Sequence, residues 1–523
     1  APLPAQQRPR GDQQQALEFL RQSLELRRGA KDTRGEANTL QKIGFAYAAS
    51  GDFVNARQYN NQALPLWKSI ADVMGESGSL RAIGITFIST GNNGKALEYL
   101  QQALQLQISI QAQREQALTF GNLGDVYASS GQPQKAMECY TQSLTLFRAV
   151  DDKRGQATAF QGQARVERDL GNFAEARKRI ESAITAVEDV RGHLGNEQLR
   201  ASYLATGQNA YQFQIDLLMQ MHQREPVAGY DAIALQISER ARARSLLEML
   251  TESRADIRRG ADAALLSRER ELTQQINGKA FRLTQRNTPQ QTDALKKELS
   301  QLESDYRDVQ TAIRKNNPHY AAITQPEPIG LKEIQGQLLD RNSLLLEYSL
   351  GEERSYLWAV TQDSITSYEL PKRELIQKAA QRVTELLTAR GTRQRNETPP
   401  QRTQRIAEAD AALPEAAKQL SDMILAPAAD RLANRRLLVV PDGALQYVPF
   451  AMLPDPVSAK ERKFANPQSA IRNSQSEVPL VVNHELVTLP SASTLAVMRK
   501  ELAGRELAPK MLAVFADPVF AGD

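Results

Sequence analysis

Alanine recurs at positions 16, 56, 96, 136 and 176, and any fold proposed for this chain has to honour that 40-residue period. Glycine keeps step five residues ahead, at Gly11, Gly51, Gly91, Gly131 and Gly171. A third column, Gly44, Gly84 and Gly124, is followed three residues on by Tyr47, Phe87 and Tyr127. Each unit reads as two amphipathic helices, such as 34–50 and 53–70, broken at Ser50-Gly51-Asp52. The small residues have a steric reason to be there. Glycine in the first helix (A) and alanine in the second (B) let the two approach closely, while the aromatic fills the gap beside them. Repetition at this period means a solenoid, over residues 1–192.

The pattern resembles the tetratricopeptide repeat in a longer, 40-residue form. It departs from that family's usual length of about 34 residues and from its helix-ending proline. The unit at 153–190 has Ala164 and Glu167 where earlier units place glycine and the aromatic, as expected of a boundary repeat. Residues 11–28 read as a B helix without its A helix, so the solenoid is expected to be cut at its N-terminus. A solenoid has no pocket of its own and displays a concave surface to a protein or peptide partner. By the resemblance, helix-A positions two, five, six and nine face that groove. Those columns supply Asn38, Gln41, Lys42, Arg81, Asn122, Asp125 and Arg165. Asparagine can bond an extended peptide's backbone, whereas lysine and arginine favour carboxylates. Two alternatives stay open: a solvated face without a ligand, or a face packed on the chain's own C-terminal half.

Two motifs inside the repeats mislead. Gly91-Asn92-Asn93-Gly94-Lys95-Ala96 has the look of a phosphate loop, but Ser89 stands where the first glycine belongs. Ala96 stands where magnesium needs a hydroxyl, and no strand precedes. It is a repeat turn. Cys139, the only cysteine, shares a column with Phe19, Tyr59 and Tyr99 and is expected to pack between helices rather than react. One cysteine also rules out an intrachain disulfide framework and a cysteine metal cluster.

Residues 193–255 stay helical but leave the 40-residue register. Leu199, Tyr203, Tyr211, Ile215 and Leu218 follow helical spacing up to a Pro226–Gly229 break, and a second helix covers 232–250. Its arginines, Arg240, Arg242 and Arg244, point around the helix and fit a salt-bridged, solvated face better than one anion site. Across 256–325, Leu295, Leu299, Leu302, Tyr306, Val309 and Ile313 alternate by four and three. With an earlier arm at 263–283 and a polar link around 286–289, this predicts an antiparallel helical hairpin. The 65 basic and 61 acidic residues leave a net charge of +4, too little and too evenly spread to argue for nucleic acid or a membrane surface. No apolar run approaches the roughly 20 residues of a membrane helix. No metal or cofactor is expected. The expected compartment is the cytoplasm, with export after signal removal left open, because the chain begins at Ala1.

Beyond residue 326 the pattern changes class. Runs at 344–350, 355–360 and 364–370 are three strands with short polar links, an antiparallel meander. Helices follow at 373–390 and 405–424, then the aliphatic run Leu437–Val440, closed by Pro441-Asp442-Gly443. Its length and breaker favour a strand buried on both faces of a parallel sheet. Such a strand ends where α/β sheets place their chemistry, although Asp442 reads more simply as a turn residue. Residues 456–477 look like a surface excursion. Further strands are expected at 484–489 and 511–515, with a helix at 493–502 between them. The fold class is thus α + α/β: an all-α solenoid, a helical hairpin, then an α/β domain over 326–523.

Residues 197–523 resemble the CHAT family, caspase- and separase-like cysteine peptidases often fused behind tetratricopeptide repeats. The resemblance rests on 239–250, 345–350, 437–453, Leu489-Pro490-Ser491-Ala492-Ser493 and Ala516-Asp517-Pro518. It implies a caspase-like α/β sandwich with a thiolate nucleophile and a histidine base at the carboxyl ends of adjacent strands. It also implies a protein substrate for an active full-length chain. Both catalytic residues are expected after the segment corresponding to 511–515. Neither is here: the histidines are His193, His222, His319 and His484, and no cysteine follows residue 139. No catalytic residue is assigned, and the α/β domain is expected to be an incomplete, N-terminal portion. Three functions stay open: part of a repeat-regulated cysteine endopeptidase, a non-catalytic interaction scaffold, or another hydrolase. The last has little behind it. Gly75-Glu76-Ser77-Gly78-Ser79 lacks the final glycine of a nucleophile elbow, and no His-Glu-x-x-His occurs.

Overall fold

A computed structural model of the chain describes residues 10–191, 197–252, 262–283, 289–316, 329–392, 397–432, 435–456 and 478–502. The chain divides into two compact units, Ala1–Gln325 and Pro326–Asp523.

In the first unit B helices α1 (Arg10–Gly29), α3 (Phe53–Ser69), α5 (Asn93–Ser109), α7 (Pro133–Ala149) and α9 (Phe173–Arg191) alternate with A helices. The A helices are α2 (Thr33–Ala49), α4 (Val73–Ser89), α6 (Gln113–Ser129) and α8 (Lys153–Asp169). The glycine column closes each A helix in the left-handed region, with φ of 80, 73, 70 and 83° at Gly51, Gly91, Gly131 and Gly171. The returning B-to-A turns put Lys31, Ala71, Gln111 and Asp151 there instead, at φ 51–54°. Asp32, Asp52, Asp72, Asn92 and Asp152 then cap the helix that follows each turn, accepting from the backbone N–H three residues on.

Two of these caps have a second role. Asp72 also receives Arg34 of the preceding A helix, at 2.5 Å, and Asp152 receives Arg114, at 2.9 Å. The intervening unit has Ala112 in the cap column, and there Met74 replaces the arginine. The ion pair is therefore present or absent as a pair, which a single repeat read alone does not reveal.

The small-residue columns behave as their sterics require. Ala56, Ala96, Ala136 and Ala176 are fully buried. A Cβ on Gly44 would lie 2.5 Å from Asn60 Nδ2, and one on Gly84 would lie 2.8 Å from Leu100 Cγ. The aromatics stack beside them, Tyr47 on Tyr59 at 5.5 Å and Phe87 on Tyr99 at 5.6 Å between ring centroids. Helices α10 (Glu197–Arg224) and α11 (Tyr230–Glu252) extend the stack, burying Ala210, Tyr211 and Leu217 against Ile180, Ala183 and Val187. Arg240 joins this packing through Glu188 at 2.7 Å. Helices α12 (Ala263–Leu283) and α13 (Pro289–Asn316) pair Glu269 with Tyr306 and Lys279 with Glu298. Numbers that rise on one arm fall on the other, so the hairpin is antiparallel. Leu272, Ile276 and Ile313 are buried, while residues 284–288 of the link lie outside the described residues.

The second unit is built on a five-stranded mixed sheet. Its strands are β1 (Ser343–Ser349), β2 (Ser355–Val360), β3 (Ile365–Leu370), β4 (Arg436–Val440) and β5 (Leu486–Thr488), in the order β3-β2-β1-β4-β5. The meander β1-β2-β3 is antiparallel, and β4 runs parallel to both β1 and β5. Leu437–Val440 is buried throughout, as a strand covered on both faces must be. Helices α14 (Arg373–Thr388) and α15 (Pro399–Ile424) contribute Ile376, Val383, Leu420 and Ile424 to one core with Leu344, Leu346 and Tyr348.

Two boundaries differ from those expected. Helix α15 starts at Pro399 rather than near 405, because Thr398 and Gln401 form a capping box and the prolines occupy the first turn, where no N–H is needed. Strand β5 excludes His484, which ends a short helix at 480–483 and turns its ring into the protein. The strand expected at 511–515 and most of the excursion at 456–477 lie outside the described residues.

Candidate functional site

Helix-A faces carry the seven groove candidates, and the structure divides them. Gln41 is spent on the next A helix, donating to Gly75 O at 3.1 Å and Ser79 Oγ at 2.7 Å. Asp125 accepts from Tyr140 Oη at 2.7 Å and from Arg165 at 2.9 Å, so it and Arg165 neutralise each other across α6, α7 and α8. Two glycines, Gly124 and Gly162, make room for that tyrosine ring: a Cβ on either would lie 2.7 or 2.4 Å from it. This triad joins neighbouring repeats, and only the periodic glycine at 124 announced it.

Asn38, Lys42, Arg81 and Asn122 remain. Asn38 and Lys42 are exposed. Arg81 is half-buried, and among the described residues it has neither ion pair nor hydrogen bond. Burial lowers its guanidinium from the ordinary range, and Glu115 acts in the opposite direction. Asn122 Oδ1 likewise has no partner among the described residues. A half-buried cation and an amide carbonyl left unpaired are groups that a ligand carboxylate and a peptide N–H would satisfy.

The carboxyl edge of the sheet is organised differently. Asp442 Oδ2 accepts from Leu350 N at 2.7 Å, tying the end of β1 to the turn after β4. Gly443, at φ 53°, makes that turn possible. Ser491 Oγ caps α16 (Ala492–Leu502) through Thr494 N at 3.0 Å. Asp442 is a turn residue here, as its simpler reading had it. His484 sits at the opposite, amino end of β5, with Nδ1 2.9 Å from Arg435 O and Nε2 3.5 Å from Asp455. Asn483 also donates to Asp455, at 2.7 Å. Sequence reasoning missed this buried cluster, since its members stand about 30 residues apart with no periodic relation.

Cys139 packs beside Leu100, Leu123 and Tyr127 in the column where other units place an aromatic ring. Burial raises its thiol to about 11. Iodoacetamide should therefore label native Cys139 far more slowly at pH 8 than a free cysteine, with the rate climbing toward pH 11. Labelling at the free-cysteine rate at pH 8 would contradict the packing role. Among the described residues no group of three or more His, Cys, Asp or Glu could hold a metal ion, and no helix is long and apolar enough to cross a membrane.

These features define a helical-repeat solenoid joined to a mixed α/β domain. The chain carries tetratricopeptide repeats, matched over 7–69, 35–109 and 115–189, and a C-terminal CHAT domain, matched over 414–523. No curated protein matches it significantly. Among solved structures, BtubC (BKLC) from P. vanneervenii is similar at 15% identity and TM-score 0.35, over 45% of this chain and 92% of that one. The apo form of RapI is similar at 10% identity and TM-score 0.32, over 58% and 98%. The apo form of the quorum sensor NprR from B. thuringiensis is similar at 17% identity and TM-score 0.29, over 44% and 72%. Likeness at this level says nothing about what this chain binds.

Proposed function

We propose that the solenoid binds a protein or peptide partner along its helix-A face and thereby controls the CHAT domain, as the sensing part of a caspase-like cysteine peptidase. The observation that carries this reading is Arg81, a half-buried guanidinium without a partner among the described residues, with Asn122 Oδ1 unpaired on the next A helix. An acidic side chain or chain terminus of an extended peptide supplies the missing carboxylate, and its backbone bonds Asn122. Lys42 and Asn38 line the approach. In this reading the described residues sense the partner and do not perform the chemistry. The only thiol, Cys139, is packed in the solenoid with its pKa raised.

A second reading, a non-catalytic scaffold, draws on the sheet edge, where Asp442 and Ser491 are both consumed in backbone capping. Both readings share the groove. The test is co-precipitation by the intact chain of whatever partner it retains. Arg81→Glu should cut capture by more than about tenfold, since reversing one charge of a desolvated pair costs over about 1.4 kcal/mol. Arg177→Glu, on a B helix rather than the helix-A face, should not. Equal capture by wild type and Arg81→Glu would sink the groove assignment.

A further inference from the structure

The fourth repeat lacks something that the second and third contain. In those units an aromatic ring at the end of helix A is covered by cations. Arg57 lies 4.5 Å and Lys95 5.5 Å from the Phe87 ring centre, and Lys135 lies 5.5 Å from that of Tyr127. One period beyond Tyr127, the ring is replaced by Glu167 and the Lys95 column by Glu175, while the Arg57 column, already Leu97 in the third unit, is Met137. The ring and its remaining cation are gone together, and the Lys95 column's charge has reversed.

The space has not closed. A cleft of about 470 Å³ opens there between α7 and α8, at the edge of the solenoid formed by the A-to-B turns. Its apolar wall is Met137, Val166 and Leu170, the last 50% exposed although it is a large aliphatic side chain. Glu138, Thr141 and Glu167 line the same cleft. Glu167 accepts one hydrogen bond, from Asn172 at 2.8 Å. Neither Glu138 nor Glu167 has an ion pair among the described residues, although the chain has a small basic excess. Two uncompensated carboxylates beside an exposed apolar slot are complementary to an apolar side chain that brings its own positive charge.

We propose that this cleft is a docking site for a partner segment carrying an aromatic side chain flanked by lysine or arginine. The partner's ring takes the place of the missing Phe87 and Tyr127 equivalent, over Met137 and Leu170, and its cation pairs with Glu138 and Glu167. The site is separate from the helix-A face around Arg81 and opposite to it in charge preference, so the solenoid presents one surface to acidic and another to basic-aromatic sequence.

The test is to pan a phage-displayed random dodecapeptide library on the intact chain and measure synthetic copies of enriched peptides by fluorescence anisotropy. Enriched clones should hold Tyr, Phe or Trp with Lys or Arg within two positions. Their binding should weaken about tenfold on Glu167→Tyr, which restores the column's own ring, with a further arm in Glu138→Gln plus Glu167→Gln, which keeps the shape and removes the charge. Arg81→Glu should leave it unchanged. The proposal is overturned if no clone enriches, if enriched clones lack the aromatic–basic pairing, or if they bind both cleft variants as tightly as wild type. Peptides lost on Arg81→Glu but indifferent to the cleft variants would overturn it while sparing the groove.

Discussion

Replacing Gly75 with alanine lowers the stability of the solenoid around α3 and α4 by about 1–2 kcal/mol, despite alanine being the better helix former. Propensity alone favours alanine by roughly 0.8–1 kcal/mol in a helix interior. The added Cβ, however, would lie 2.3 Å from Trp67 Cδ2, and Trp67 is only 4% exposed within a core containing Leu40, Ile43 and Ala63. A ring so enclosed cannot step aside as a flexible side-chain tip would. Overpacking of this kind costs about 1–3 kcal/mol, occasionally more, and here it outweighs the propensity gain. The same relation recurs one unit earlier, Gly35 under Arg27, and two units later, Gly155 under Phe147, while the intervening unit has Gln107 and Glu115 in the two columns and no glycine. Gly94 supplies the control. It lies in the first turn of α5 with nothing within 4 Å of its Cβ position, so Gly94→Ala should stabilise by about 0.5–1 kcal/mol. Hydrogen exchange across α3 to α5 in the full chain reads both. If Gly75→Ala slowed exchange as Gly94→Ala does, or if adding Trp67→Leu failed to relieve it, the steric account would be wrong.

Asp455→Ala should destabilise the second unit by about 3 kcal/mol. Were Asp455 and His484 a surface pair, the loss would be at most about 1 kcal/mol. Their side chains are 2% and 1% exposed, so removing the carboxylate strips Asn483 of its acceptor and leaves the imidazole beside an empty, desolvated position. The location magnifies the effect. Asp455 N also donates to Val478 O at 2.8 Å, and Leu480 N to Leu453 O at 2.9 Å, so this cluster fastens the segment that leads directly into β5. Asp455→Asn, which retains an acceptor, should lose clearly less. Faster exchange at 436–440 and 486–488 in the alanine variant is the expected readout. Unchanged exchange at both strands would show that β5 docks without the cluster.

The solenoid was legible because its causes are local and repeated. Gly51, Gly91, Gly131 and Gly171 occupy left-handed turns that disfavour a Cβ, and Ala56, Ala96, Ala136 and Ala176 sit where helices touch, so each constraint left a mark every 40 residues. Leu437–Val440 was legible as a doubly covered strand for a related reason: burial on both faces leaves no polar position in the run. The groove was legible only as columns. Which members are free depended on partners in other repeats, Ser79 for Gln41 and Tyr140 with Arg165 for Asp125.

By itself, then, the sequence determined the period, the helix pairing, the heptad hairpin and the switch to a mixed sheet, because each follows from spacing along one chain. Tertiary structure alone decided that Arg81 is left without a partner among the described residues, that Asp455 and His484 meet, and that the slot beside Glu167 stays open. Those outcomes depend on which side chains from distant positions compete for the same few ångströms, and no periodicity encodes that competition.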